Sequence, residues 1–515
     1  MALNCTAAAI PHPSVFGVEV LSVQANLVTN LTESIPPGFY SNHGRVSIKS
    51  LDFCNVTVTY THPGRNDNIN VQVWMPADGT WNERLQTQGG AGYQAGLHYA
   101  GLQAMKAAMG EGYATAGTDA GLGSEATPIN WGLVSPGNVN LNLLENLGST
   151  SLNETAVISK SVIQSFYGQS PKFSYFNGCS QGGRQGHLIA QRYPDAYDGI
   201  AASAPAINWN RFFVSGLYPL FLMDSLNYAP PSCEISAFTA AAISACDGND
   251  GVLDGIISDP ENCTFDPTSL VGTVIDNCTD FGTPLTISAK AAAIVGGAWG
   301  GAKRADGSQI WFGINKDATL VGSDSDGAVI PTTCSNGTCI RRKNALYESW
   351  VGSFLYKDMT GVFANVSQAE FDRIAQESFQ QYASFLETAD PDLSAFRDRG
   401  GKMIGYHGMI DAVIPTRGSQ KYYDDVLAHD PNAADYYRMF LAPGIAHCFT
   451  GPGAFPDTTF DALVRWVEEG VAPTTLAATS VGTDPIIKRH LCAYPEKETY
   501  DGVGNVTRGE GFSCS

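Results

Sequence analysis

The stretch FNGCSQGGRQG, Phe176 to Gly186, carries a serine with a glycine two places to either side: Gly178, Ser180 and Gly182. That spacing is G-x-S-x-G, the pattern of a strand that turns sharply into a helix with a serine at the turn. The glycines are needed because strand and helix backbones approach closely there, and a Cβ at either place would clash. A chain with 55 glycines can meet this pentapeptide by chance, so the flanks decide. KFSYFNG in front reads as a strand, and SQGGRQGHLIAQRYP behind reads as a helix. Ser180 then stands at a helix N-terminus, where the backbone dipole favours developing negative charge. A plain loop serine would not require either neighbour.

Outward from this point, strands and helices alternate. CNVTVTYTH and INVQVWMPA read as two strands joined by a glycine-containing turn. RLQTQGGAGYQ is a strand end entering a Gly-rich loop, and GLQAMKAAMGEGYATAGTDAG is a helix followed by a strand. NLLENLGSTSLNETAVISKSVIQSFYG is helical, and YDGIAASAP is a buried strand. The pattern stops near Trp209, and the text reads as loop-rich to about residue 395. It resumes with GKMIGYHGMIDAVIP, GSQKYYDDVLAHD, YYRMFLAPGIAHC and FDALVRWVEEG. Alternation of this kind implies a mostly parallel sheet covered by helices. The expected organisation is an α/β domain over 1–205 and 396–515, interrupted by an inserted domain over 206–395.

Composition agrees with a folded, exported protein. Of 515 residues, 43 % are hydrophobic and 16 % charged, with mean hydropathy -0.08. No apolar run is long enough to predict a membrane span. The net charge of -20 opposes nucleic acid and anionic membranes as partners. Twelve cysteines, an even number, and nine N-x-[S/T] sequons point to the secretory pathway. MALNCTAAAI has neither a basic start nor a long apolar core, so the chain reads as a form with its signal already removed. The sequence does not fix an oligomeric state.

A serine nucleophile needs a base, and the base needs an orienting carboxylate. In α/β hydrolases these follow in the order serine, acid, histidine. Asp411 falls in a loop after one strand and His447 in a loop after the next, so both meet the ends where Ser180 would stand. Asp424 and Asp425 are alternative acids, although both fall in a helix. His407 lies on the strand side of the Asp411 loop and is a candidate for lining the pocket. The oxyanion donors would be the N–H of Gln181 and a second N–H from the Gly-rich loop, at Gly90 or Ala91. Cys179 precedes the serine and Cys448 follows the histidine. If Ser180 and His447 share a hydrogen bond, those cysteines come within bridging range, the alternative being two buried thiols. Asp247, Asp250 and Asp254 form a glycine-spaced acidic run that fits either a hard-cation loop or a solvated turn.

GCSQGG, GxxDxxIP and HC together resemble the fungal tannase and feruloyl esterase family of serine hydrolases, as does QRYPDAYDGIAASAPAINW. The resemblance implies an α/β-hydrolase fold with a large lid, and a triad of Ser180, Asp411 and His447. It also implies a Cys179–Cys448 bridge between nucleophile and base. In the lid it implies a structural Ca²⁺ held by Asp247, Asp250 and Asp254 with the carbonyls of Val252 and Ile256, bracketed by a Cys246–Cys263 disulfide. Cys5, Cys54, Cys334, Cys339, Cys492 and Cys514 are expected in disulfides too, with the pairing of Cys233 and Cys278 open. The implied substrates are phenolic acid esters of plant polysaccharides, or galloyl esters of tannins. An inactive glycan-binding or scaffold protein is the alternative from another class. Trp209 and the aromatics of NRFFVSGLYPLFLMD either wall the pocket or pack the lid onto the core.

Overall fold

The computed structural model describes residues 4–278, 280, 282–322 and 328–515. Nine strands form one sheet: β1 (Glu19–Ile35), β2 (Val46–Thr61), β3 (Ile69–Pro76), β4 (Arg84–Gln88), β5 (Ala114–Thr118), β6 (Phe173–Cys179), β7 (Gly199–Ser203), β8 (Lys402–Gly408) and β9 (Tyr437–Ala442). Their order in space is β1-β2-β3-β5-β4-β6-β7-β8-β9. The first three strands and β5 pair antiparallel. From β5 across to β9 every pairing is parallel. Residues of β5 and β7 are buried throughout, as expected for strands covered on both faces.

The two faces sort by side-chain parity. Phe176, Ile200, Ala202 and Met403 share a core with α2 (Ser151–Tyr167), α3 (Gln181–Arg192) and α8 (Thr416–His429). Tyr175, Ala201, Ile404 and Tyr406 pack on the other side with α1 (Tyr99–Gly110) and α9 (Thr459–Glu469). This three-layer arrangement, with crossover helices between parallel strands, is the α/β-hydrolase architecture.

Among the described residues, the chain between β7 and β8 contributes no strand to this sheet. The loop-rich reading of this segment is corrected by helices, the four longest among the described residues being α4 (Trp209–Leu226), α5 (Ser232–Cys246), α6 (Ala289–Gly300) and α7 (Gln368–Leu386). Helix α4 is apolar around much of its girth and carries Pro219 inside it, so it shows no clean amphipathic stripe. After α9 come strands β10 (Ala454–Phe455), β11 (Thr475–Ser480) and β12 (Lys488–Cys492), then a hairpin of β13 (Glu498–Tyr500) and β14 (Phe512–Cys514).

The elbow between β6 and α3 is set by contact distance. A Cβ on Gly178 would lie 2.5 Å from the Gly182 carbonyl carbon, and one on Gly89 would lie 2.6 Å from Gly182 Cα. Both neighbours are backbone and cannot swing aside. Gly178→Ala is therefore expected to cost about 1–3 kcal/mol, the usual range for overpacking, or to prevent folding. Gly300→Ala, where a Cβ meets nothing within 4 Å, is the control. Thermal melts of the two variants check this, and an unchanged Gly178→Ala melt would refute the steric account.

Candidate active site

Ser180 sits at the N-cap of α3 with φ 65° and ψ -122°, a backbone region that side chains other than glycine rarely adopt. Three main-chain bonds hold it there. Its N–H donates to Ser203 O at 3.1 Å, and its carbonyl accepts from Arg184 and Ala206, each at 3.0 Å. The strained turn presents Oγ beyond the strand end.

The loops after β8 and β9 bring two further side chains to it. His447 Nε2 lies 2.9 Å from Ser180 Oγ, and His447 Nδ1 lies 2.8 Å from Asp411 Oδ2. His447 is partly open to solvent, while Asp411 is buried. Asp411 Oδ1 accepts the N–H groups of Val413 at 2.8 Å and Ile414 at 2.9 Å. Burial alone would raise its carboxyl. The charge His447 can carry, and hydrogen bonds from His407 and His447, hold it well below the usual carboxylate range. Asp424 and Asp425 lie on α8, where Asp425 pairs with Lys421 and Asp424 accepts from Tyr494.

His407 does not line a pocket. It is fully buried, with Nε2 at 3.1 Å from Asp411 Oδ2 and Nδ1 at 2.7 Å from Ser419 Oγ. The signal available in the sequence was its i, i+4 spacing to Asp411, which has no such meaning outside a helix.

Around the serine, the Gln181 N–H has no hydrogen-bond acceptor among the described residues. The expectation for Gly90 is corrected, because its N–H is spent on Gln185 Oε1 at 2.8 Å. Its carbonyl is engaged as well, accepting from Gly182 N at 2.9 Å. Ala91, the alternative in that loop, has an N–H with no acceptor among the described residues.

All twelve cysteines pair. The bridges are Cys5–Cys54, Cys179–Cys448, Cys233–Cys278, Cys246–Cys263, Cys334–Cys339 and Cys492–Cys514. Cys179–Cys448 spans 269 residues and joins the neighbours of Ser180 and His447, with Cα atoms 6.0 Å apart.

In the acidic loop, Asp247 Oδ1 accepts three main-chain N–H groups, from Asp254, Gly255 and Ile256, at 3.2, 3.0 and 3.1 Å. Asp250 and Asp254 face a cavity shared with Ile256, Arg489 and Glu498. Arg489 pairs with Asp254 at 3.2 Å, and Glu498 lies partly buried beside it. Burial, with the nearby Asp250 and Asp254 charges, pushes Glu498 up to about 7 against the opposing pull of Arg489. Glu498 comes from the C-terminal hairpin, far along the chain, and sequence reasoning missed it. The cavity places the carboxylates of Asp250, Asp254 and Glu498 together, the oxygen donors that hard cations take, with the Arg489 cation among them. Elsewhere, ligand-type atoms of Cys233, Cys278 and Asp280 lie within 4.8 Å of one another. The two sulfurs are bonded together, and a metal takes a thiolate rather than a disulfide.

The aromatics of α4 pack inward. Trp209, Phe212, Phe213 and Phe221 are buried in a core with Tyr93, Trp350 and Phe354, so they join the inserted segment to the sheet domain rather than face a ligand.

Sheet order, crossovers and elbow define an α/β hydrolase with a large insertion. The chain matches the tannase and feruloyl esterase family over residues 54–515. It is 37% identical to a probable feruloyl esterase of Arthroderma benhamiae, over 99% of this chain and 94% of the relative. The solved tannin acyl hydrolase from Aspergillus niger superposes with a TM-score of 0.86 at 28% identity, covering 100% of this chain and 96% of the other. Feruloyl esterase B from Aspergillus oryzae gives 0.78 at 26% identity, covering 98% and 97%. This protein belongs to the tannase and feruloyl esterase family and is a carboxylic ester hydrolase, which sets aside the inactive binding-protein alternative.

Replacing both Cys179 and Cys448 by alanine should lower the melting temperature and reduce turnover more than it alters the far-ultraviolet spectrum. Peptide mapping of the unreduced protein should recover the two joined. Recovery of both as free thiols would remove the bridge from the account.

Proposed function

We propose that the chain is a secreted feruloyl esterase that hydrolyses ferulic, caffeic and p-coumaric esters of plant cell-wall polysaccharides through Ser180, His447 and Asp411. The observation that carries this is the unbroken hydrogen-bond series from Ser180 Oγ through His447 to Asp411 on a strained elbow. Ser180 Oγ attacks the ester carbonyl while His447 Nε2 takes its proton. Asp411 accepts from Nδ1 and stabilises the imidazolium that forms. The oxyanion takes the N–H of Gln181, with Ala91 as the second donor. Collapse expels the alcohol, protonated by His447. Water, deprotonated by the same nitrogen, then attacks the acyl-enzyme and releases the phenolic acid. The catalytic body is 1–205 with 396–515, and 206–395 is the lid. Six disulfides support an oxidising, extracellular setting.

The substrate reading rests on the 37% identical relative, whose name is probable feruloyl esterase. A second reading, hydrolysis of galloyl esters, is favoured by the higher TM-score of the tannin acyl hydrolase. The two differ in the pocket. A site built to hydrogen-bond ring hydroxyls rejects analogues lacking them by large factors, because its buried polar groups lose their partners. We expect kcat/KM to be higher on methyl ferulate, methyl caffeate and methyl p-coumarate than on methyl gallate, and Ser180→Ala to lose at least about 1000-fold of it. Preference for methyl gallate overturns the substrate. Activity of Ser180→Ala within tenfold of the parent overturns the nucleophile.

We further propose a structural Ca²⁺ in the lid, held by the carboxylates of Asp247, Asp250 and Asp254 and the carbonyls of Val252 and Ile256. Asp247 Oδ1 is occupied by main-chain donors, so its other oxygen is the free one. Chelation, or Asp250→Ala, should lower the melting temperature while the triad chemistry continues at temperatures where the chain stays folded. Purified protein that contains no calcium, with a melt indifferent to chelator, would exclude the site.

A further inference from the structure

We infer that His407 is a positioning residue for the acid of the triad, and that Ser419 sets its tautomer. The inference rests on the proposed roles of Ser180, His447 and Asp411. Asp411 is a buried carboxylate with four donors. Oδ1 takes the N–H groups of Val413 and Ile414. Oδ2 takes His447 Nδ1 at 2.8 Å and His407 Nε2 at 3.1 Å. The oxygen that orients the base is thus shared with a second imidazole, which contacts neither the serine nor any open space.

Which His407 nitrogen carries the proton follows from its surroundings. Nε2 faces two groups that can only accept, Asp411 Oδ2 and the Ile414 carbonyl, each at 3.1 Å. Nε2 is therefore the donor. Nδ1 faces Ser419 Oγ at 2.7 Å, and a hydroxyl can turn to donate to it. Ser419 lies on α8 and is itself buried. His407 lies on β8, in register with Leu441 of β9. A helix, a strand and the acid loop therefore converge on one ring, and that ring fixes the rotation of the Asp411 carboxylate.

Without the His407 donor, Oδ2 is held by His447 alone, and the carboxylate, anchored only through Oδ1 by Val413 and Ile414, gains freedom to tilt about that anchor. His447 then loses its alignment with Ser180 Oγ. Misplacement of a catalytic group by about 1 Å costs up to about 100-fold. Binding of the ester, which this ring does not touch, is untouched. The expected signature is a fall in kcat at constant KM.

The test compares His407→Leu, His407→Gln and Ser419→Ala on methyl ferulate, or on methyl gallate if that is the better substrate. Rates are expressed per active site, counted by end-point fluorophosphonate labelling, so misfolded molecules do not count. We expect His407→Leu to lose about 10- to 100-fold in kcat with KM unchanged. His407→Gln, whose amide can donate from the Nε2 position, should recover most of that loss, and Ser419→Ala should fall between. If His407→Leu does not fold, the Gln and Ser419 variants carry the test alone. A kcat per site equal to the parent in His407→Leu, or in Ser419→Ala where only that variant folds, overturns the inference. So does a change confined to the melting temperature. Ser180→Ala run alongside separates the two levels: if it retains activity, the triad reading fails, whereas an inactive Ser180→Ala beside a fully active His407→Leu sinks only the role of His407.

Discussion

The covalent bond between Cys179 and Cys448 is the constraint on which the site depends. It joins the residue before the elbow serine to the residue after the loop histidine, across 269 positions and the whole insertion. Two residues at this junction are strained: Ser180, next to Cys179, has φ 65° and Cys448 has φ 67°. Residues held in such regions cost on the order of 1–3 kcal/mol each and persist only where their surroundings over-determine them. In the chain-entropy description, closing a loop of this length restrains the unfolded chain by about 5 kcal/mol, which is comparable to or larger than the two strains together. Tyr406 adds to the restraint by donating its hydroxyl to the Cys448 carbonyl. Ser180 and Cys448 can therefore hold unfavourable backbone positions that leave the Ser180 and His447 side chains in contact.

Two buried charges show how the same elbow is tied to the rest of the molecule. Asp411 is satisfied by four donors and stays ionised. Arg184, one turn along α3, is fully buried, with no carboxylate in contact among the described residues. It donates instead to the carbonyls of Leu147 and Gly148 and to Gln181 Oε1, at 3.0, 3.1 and 2.8 Å in the order Gly148, Leu147, Gln181. Burial lowers it to about 9. The Trp209 ring lies over it at 5.5 Å, where the ring face attracts the cation. A residue of the insertion thus covers the cation that holds Gln181, the residue after Ser180.

What the sequence made legible was what is repeated or local. Strands β4 to β9 and the helices between them announce themselves because parallel strands buried on both faces read as short apolar runs between helical periods, while β2 and β3, paired antiparallel, announce themselves by alternation. The elbow, Asp411 and His447 were legible because each sits at a strand end. The insertion was less so. Helix α7 did carry a signal, with Phe371, Ile374, Ala375, Ser378, Tyr382 and Leu386 buried on one face and Ser367 capping its start. Helix α4 carried none, being apolar around much of its girth. The use of Gly90's N–H depends on where the Gln185 amide points, and the role of Glu498 depends on the fold of a distant hairpin. His407 beside Asp411 depends on a loop doubling back on its own strand. None of these is a property of spacing.

The insertion packs on the loops that carry Asp411 and His447. Ile410, Ala412 and Ala446 lie in one apolar cluster with Ile314, Ala318 and Ile330 of the insertion. Polar contacts pin the acid loop from the same side: Asn315 donates to the Met409 carbonyl at 2.7 Å, and the Tyr347 hydroxyl donates to the Val413 carbonyl at 2.9 Å. The N–H of that same peptide, from Ile414, donates to Asp411. Displacement of Tyr347 is thereby passed through one peptide to the carboxylate that aligns His447. Close-packed interiors transmit such shifts rather than absorb them. Substitutions in the inserted segment at these contacts will therefore act on the loop that carries Asp411 as well. The inserted segment and the two loops share one set of contacts, so a change on one side reaches the other.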